Sequence, residues 1–209
     1  MKPLHWMTAF LAALLLTGCA GMKPEDFADT QPEFDVMGYF HGSTQAWGIF
    51  QDRSGQIRRQ FRVDLNGEMQ GDTLVLTEDF FYRDGEQSQR IWRIRKLDEH
   101  HYEGRADDVV GIASGVGYGQ ALNWRYQLML EVDGKTWKVN FNDWMFLQED
   151  GVLINRATMS KFGLKLGEVT LFFTKAKENS YEKANSTGSG IVSPDHYFAR
   201  ANPSFRRDL

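Results

Sequence analysis

From Phe34 to Lys175 apolar and polar residues alternate with a period of two, in runs bounded by glycine-containing turns. That period sends successive side chains to opposite faces of a strand. The runs are Gln45 to Arg53, Gln56 to Leu65, Thr73 to Tyr82, Gln87 to Leu97, His101 to Ala106, Leu122 to Val132, Lys135 to Leu147, Val152 to Met159 and Lys165 to Lys175. Between them stand Ser54-Gly55, Asn66-Gly67, Asp84-Gly85, Asp133-Gly134 and Asp150-Gly151, pairs that favour tight hairpins. About nine strands joined to their sequence neighbours predict an antiparallel meander. Such a meander buries one face by curling shut or by packing on a second sheet. The expected fold is all-β, a lipocalin-like barrel of about 8–10 strands, with a β-sandwich as the alternative. Helical periodicity is scarce after the first residues, and Ser160 to Gly163 has room for a single turn at most.

The segment Asp107 to Gln120 breaks the alternation, with Gly111, Gly115, Gly117 and Gly119 among small residues. A phosphate cradle needs its glycines between a strand and a helix, and no helical pattern follows here. The segment reads as a bulged strand or a loop at the barrel mouth.

Alternation also predicts which side chains point inward. One phase of each strand is apolar: Ile57, Arg59, Phe61, Val63 and Leu65; Leu74, Leu76, Glu78, Phe80 and Tyr82; Trp137, Val139, Phe141, Asp143 and Met145; Val152, Ile154, Arg156 and Thr158. Arg59, Glu78, Asp143 and Arg156 thus fall among apolar neighbours. A buried charge costs several kcal/mol unless it is paired, so these four are expected to pair with one another, to reach the mouth, to mark a bulge that shifts the phase, or to form the polar end of a ligand cavity. With Trp124 they are the candidate ligand-binding residues. Trp92, Trp124 and Trp144 suit either a packed core or the lining of an apolar cavity.

The start of the chain carries a different message. Lys2 precedes an apolar run, Ala9 to Leu16, which ends in Leu16-Thr17-Gly18-Cys19. The run is about half the length needed to cross a bilayer and fits a secretory signal. The small residues beside the single cysteine of the chain predict cleavage between Gly18 and Cys19, with acylation of Cys19. Two or three acyl chains make a stable anchor. Residues 1–18 are therefore expected as a lipoprotein signal peptide, 19–33 as a tether, 34–175 as the barrel, and 176–209, rich in Ser, Asn and Gly before Pro194 and Pro203, as a disordered tail. Ala20 lacks the acidic character of an inner-membrane retention signal, which predicts the periplasmic face of the outer membrane.

A net charge of −4 with both signs interspersed excludes the basic surface that nucleic-acid binding requires. His100 and His101 beside Asp98 and Glu99 imitate a metal cluster, but adjacent strand residues point apart, and a solvated turn is expected. No Gly-x-Ser-x-Gly or His-Glu-x-x-His motif occurs, and no nucleophile–base pair is evident. Neither catalytic residue, metal nor cofactor is predicted.

The segments Ala46-Trp47-Gly48-Ile49-Phe50-Gln51-Asp52-Arg53, Trp124-Arg125-Tyr126, Asn142-Asp143-Trp144-Met145, Asn155-Arg156-Ala157 and Ser160-Lys161-Phe162-Gly163 resemble the domain-of-unknown-function family 3833 of bacterial lipoproteins. The resemblance spans about Phe34 to Lys175 and implies a proteobacterial envelope lipoprotein. It carries over no catalytic residue; members are often encoded near enzymes that modify membrane fatty acids, which hints at lipid. Two functions follow as expectations. One is a membrane-anchored barrel that binds a fatty acid, phospholipid or other apolar ligand, with Arg59 or Arg156 facing an anionic end. The other is a non-catalytic envelope assembly factor whose filled barrel presents a surface to a protein partner.

Overall fold

A computed structural model describes residues 21–132 and 135–176. The expected signal peptide, Cys19 and the expected tail after Ala176 lie outside these residues, as does the turn expected at Asp133-Gly134. Ten strands follow in chain order: β1 (Gly42–Asp52), β2 (Ile57–Gln70), β3 (Thr73–Tyr82), β4 (Gln87–Lys96), β5 (His101–Arg105), β6 (Ala113–Tyr118), β7 (Ala121–Val132), β8 (Lys135–Leu147), β9 (Leu153–Lys161) and β10 (Leu164–Lys175). Each pairs antiparallel with its sequence neighbours, and β1 closes on β10 from Thr44↔Lys175 to Asp52↔Gly167. The fold is a closed up-and-down barrel, which leaves no sheet edge unpaired along the seam; the sandwich alternative falls away.

Three turns share one geometry. Asp52 N–H donates to Gln56 O at 3.0 Å, Tyr82 N–H to Glu86 O at 2.9 Å and Gln148 N–H to Val152 O at 2.8 Å. Each encloses three residues, the last a glycine at φ 83° (Gly55), 89° (Gly85) or 80° (Gly151). This is the three-residue hairpin whose left-handed third position selects glycine.

Asn66-Gly67, expected as a turn, instead lies inside β2, and the chain reverses at Gly71-Asp72. The reason is steric: Gly67 faces inward beneath the Phe40 carbonyl, where no Cβ fits. The glycine-rich segment 107–120 supplies an additional strand, β6, after a loop that folds back along β7 through a Val109↔Leu128 bridge. Its glycines admit an indole: a Cβ on Gly104 of β5 would sit 2.5 Å from the Trp124 ring, and one on Gly115 of β6 closer still. Ser160 to Gly163 is not a helical turn but the end of β9 and its reversal into β10, with Phe162 at φ 50° and Gly163 at φ 79°.

The expected tether is also shorter than the alternation suggested. Pro24–Phe27 forms a 3₁₀ turn, and the Phe27 ring rests on Phe146 (5.4 Å between centroids) and Trp144 (6.0 Å) on the outer wall. Thr30 Oγ1 accepts a hydrogen bond from Gln120 N–H, and Phe34 N–H donates to Gly119 O at 2.8 Å. A five-residue helix, α1 (Val36–Phe40), then crosses the end of the barrel.

The two ends of the barrel differ. At the α1 end, Phe34, Val36 and Phe40 pack with Leu74, Leu147, Leu153 and Phe173 into a continuous apolar core that extends to Trp92 and Trp124. Full burial of each such side chain is worth about 1.5–3 kcal/mol, so this end is a plug. The opposite end carries the hairpins 53–56, 83–86 and 162–163 and the 106–112 loop. Below it lies a second apolar cluster of Phe50, Leu128, Val139, Phe141, Ala157 and Met159.

Candidate functional site

The inward phase of the middle strands carries charge. In β3 it runs Leu74, Leu76, Glu78, Phe80 and Tyr82; in β4, Ser88, Arg90, Trp92 and Ile94; in β7, Leu122, Trp124, Tyr126 and Leu128; in β8, Val139, Phe141, Asp143 and Met145. Glu78 lies directly across the β3–β4 ladder from Arg90. Asp143 lies across from Trp124 on one side and Ala157 on the other. Tyr126 OH donates to Asp143 Oδ2 at 3.2 Å. These four groups sit in one volume above the plug, with Trp92 edge-on to the Tyr126 ring at 5.4 Å.

Arg90 has an additional partner. β5 pairs with β4 only opposite Arg93 to Lys96, so among the described residues the Gln87 to Trp92 stretch of β4 has no strand on that side. The 106–112 loop fills the place, and Asp108 Oδ2 accepts from Arg90 Nε at 3.0 Å and Nη2 at 2.7 Å.

Burial sets the protonation of the cluster. Loss of water raises the Asp143 pKa to about 7, outweighing the Tyr126 hydrogen bond and the Arg90 charge. Loss of water likewise raises Glu78 to about 7, against the opposing pull of Arg90 and a hydrogen bond from Trp92. Desolvation, with the charge of Asp143, holds the Tyr126 hydroxyl far above its usual range. Burial works against the Arg90 charge, but Asp108, Tyr126 and Glu78 together keep it protonated. Two carboxyls thus titrate near neutrality beside a guanidinium that stays charged.

One atom of the cluster is unsatisfied. Asp143 is 6% exposed, and its Oδ1 has no hydrogen-bond partner among the described residues. An unpaired buried acceptor costs about 1–3 kcal/mol, which a ligand atom or a water can relieve. The atom itself is out of reach of water, but the inward side chains above it are only partly covered. Phe61, Glu78, Phe80, Tyr82, Arg90, Tyr126, Val169 and Leu171 all point inward yet keep partial solvent exposure. Phe61, Val169 and Leu171 lie on strands paired on both sides, so water reaches them through the lumen; Glu78, Phe80 and Arg90 also lie near the stretch of β4 that has no neighbouring strand among the described residues. The lumen is therefore filled near α1 and only partly packed above it, where one side of its wall keeps contact with solvent.

The sequence-predicted residues separate clearly. Glu78, Asp143 and Trp124 share the lumen, Trp124 in the plug and the two carboxyls at its surface. Arg59 also faces inward, at the mouth, where Nη2 meets Glu86 at 2.8 Å and Asp84 at 3.4 Å, and the guanidinium lies 4.1 Å over the Tyr82 ring. Its charge is occupied by the rim. Arg156 is the correction: it is exposed on the outer wall, paired with Glu168, because β9 turns Leu153, Asn155, Ala157 and Met159 inward instead. Trp144 likewise belongs to the outer wall, under Phe27. Arg90, Tyr126 and Asp108 are members that the sequence reading missed.

The His100/His101 pair forms a solvated turn. Asp98 Oδ1 accepts from both backbone N–H groups, and the His100 ring stacks on Tyr118 at 3.8 Å. No group of three or more His, Cys, Asp or Glu with metal-holding geometry occurs among the described residues, nor any helix long and apolar enough to cross a membrane.

Among solved structures, the fold is similar to that of the S-type phycobiliprotein lyase CPES from Guillardia theta. The likeness has a TM-score of 0.52 at 6% identity and covers 76% of this chain and 100% of that one. At that identity it speaks for the fold alone. No curated protein matches the chain. The family model for proteins of unknown function DUF3833 matches residues 13–175, a span that takes in the whole barrel, and the chain belongs to that family.

Proposed function

We propose that this protein is a membrane-anchored lipoprotein of the cell envelope that binds an apolar or amphipathic ligand in its barrel lumen. The observation that carries the reading is the division of the interior: a packed plug at one end, and above it a water-reached, largely aromatic and aliphatic space with one cluster of polar groups. Binding sites for small ligands have this make-up, predominantly apolar walls with few polar groups to fix orientation. In a filled structural barrel, two carboxyls, a guanidinium and an unpaired carboxylate oxygen in the core carry a desolvation cost that a bound polar group would offset. Acylation of Cys19, at the periplasmic face of the outer membrane, would keep the protein beside a reservoir of such ligands.

The experiment is native mass spectrometry of the Cys19→Ala chain purified from the envelope fraction without detergent, beside the same chain carrying Leu171→Trp, which places an indole into the open half of the lumen. An apolar adduct on the first and none on the second supports lumen binding. Equal adducts on both, or none on either after incubation with lipid extract, refutes it.

A second reading rests on Trp47 and Phe172, each 48% exposed and directly paired across β1 and β10 on the outer wall. An exposed aromatic pair of this kind suits contact with an envelope protein. Capture from the envelope that is lost in Trp47→Ser and kept in Leu171→Trp would favour it.

A further inference from the structure

The charges inside the lumen also constrain the ligand. Resting on the lumen-binding reading, we propose that the buried end of the ligand is a hydrogen-bond donor, an amine or other N–H or O–H group, and not a free carboxylate or phosphate. This reverses the sequence-derived expectation of an anionic end held by arginine.

The argument begins with the cations. Arg156 is outside the barrel, and Arg59 is engaged at the rim by Glu86 and Asp84. Arg90 spends two N–H groups on Asp108 and faces Glu78 across the ladder. Lys161 sits at the mouth over the Trp137 ring, 3.5 Å from its centroid. It stands four residues toward the mouth from Ala157, the partner of Asp143, or roughly 13 Å along the strand at about 3.3 Å per residue. An anionic head at the depth of Asp143 therefore meets a single guanidinium, one that Asp108 already engages and Glu78 faces.

The carboxyls lead to the same conclusion. Glu78 from β3, Asp143 from β8 and Asp108 from the 106–112 loop surround a single guanidinium, so the cluster has more acid than base. The other strands add only uncharged groups at this level: Phe61 from β2, Trp92 from β4, Tyr126 from β7, Ala157 and Asn155 from β9, and Leu171 from β10. Asn155 Nδ2 is turned away and donates to the Trp144 carbonyl at 3.4 Å. Tyr126 OH already donates to Asp143 Oδ2. What the site presents to an incoming molecule is Asp143 Oδ1, an acceptor without a donor, more than nine-tenths buried and inside the lumen. A donor head group completes this atom and, when cationic, offsets the excess acid. A carboxylate or phosphate brings like charge into a low-dielectric volume, where repulsion is strong.

The test compares decylamine and decanoate below their micellar concentrations and decanol below its solubility limit, by isothermal calorimetry on the Cys19→Ala chain at pH 8.5, above the titration of Asp143. The expected result is decylamine bound at least tenfold more tightly than decanoate, with decanol between them. Asp143→Asn should cut decylamine affinity at least tenfold and decanol affinity less than threefold. Decanoate bound as tightly as decylamine, and displaced by Leu171→Trp, overturns the donor assignment while leaving lumen binding intact. Binding of none of the three overturns both. Should Asp143→Asn fail to fold, the ranking of the three ligands on the parent chain still decides the matter.

Discussion

Asp143→Asn is the substitution that most sharply tests whether the lumen carboxyls are where the fold places them. In the folded chain burial raises the Asp143 pKa from 3.8 to about 7. An acid whose folded pKa lies above its unfolded value favours the folded state most at low pH, below about 3.8. That contribution is lost as pH rises through about 7, because between these limits the folded chain holds a proton the unfolded chain has released. Each pH unit in this window is worth about 1.4 kcal/mol. From pH 5 to pH 8 the Asp143 share of the loss covers about two such units, or about 3 kcal/mol. Glu78, raised for the same reason and sensed by Asp143, pulls in the same direction. Asparagine keeps the shape and the Tyr126 hydrogen bond but cannot ionise. The variant should therefore match the parent near pH 5 and exceed its stability at pH 8 by about 3 kcal/mol. For a domain of this size that is a melting-temperature difference on the order of 8 °C. Exposed acids with lowered pKa, such as Asp98, which the backbone N–H of His100 and the His101 ring and backbone hold down to about 2, act in the opposite sense at low pH. They cancel in the difference between the two chains. Thermal melts of both chains from pH 4.5 to 8.5, in one buffer series of constant ionic strength, provide the measurement. Parallel curves would show that Asp143 ionises normally, and the buried cluster would then be wrong.

Three further outcomes follow from the packing. Gly115→Ala drives a methyl into the Trp124 ring and should cost about 1–3 kcal/mol by urea titration, with a shift in tryptophan emission; an unchanged midpoint would mean that Trp124 lies elsewhere. Phe27→Ala removes the ring that covers Trp144 and Phe146, so the Phe34 amide bonded to Gly119 should exchange at least tenfold faster while β8 amides keep their protection. Arg59→Met leaves Glu86 at the rim without its 2.8 Å partner and should cost about 2 kcal/mol at pH 7 by urea titration; an unchanged midpoint would refute the rim pairing.

Much of this architecture was legible in the alternation, and its failures have local causes. The inward phase of β2, β3 and β8 is dictated by Val63, Leu76 and Val139, and it placed Arg59, Glu78 and Asp143 correctly. In β9 the run Val152-Leu153-Ile154 is apolar in both phases, so hydrophobicity could not choose between them, and Arg156 was assigned to the wrong face. Arg90 does not stand out in the pattern because the first half of β4, Gln87-Ser88-Gln89-Arg90, is polar in both phases. The signal was nonetheless present: a three-residue hairpin ending in Gly85 sets Tyr82 against Glu86 and hence Glu78 against Arg90. β6 was hidden for a different reason. A strand built to admit an indole from the facing wall consists of glycine and alanine and has no apolar alternation of its own. Asp108 reaches Arg90 only because β5 is short, a feature of register that no local pattern records.

The central claim is that the barrel holds its ligand inside, above the plug and against the charged cluster. A crystal structure of the Cys19→Ala chain soaked with 10-bromodecylamine tests it most directly, because anomalous scattering locates the bromine without reference to the fold. The account predicts a bromine peak within the lumen on the mouth side of Asp143, beside Phe61, Tyr82 and Val169, with the amine within hydrogen-bond distance of Asp143 Oδ1. A peak on the outer wall beside Trp47 and Phe172, or a lumen that takes up no bromine at saturating ligand, would contradict it.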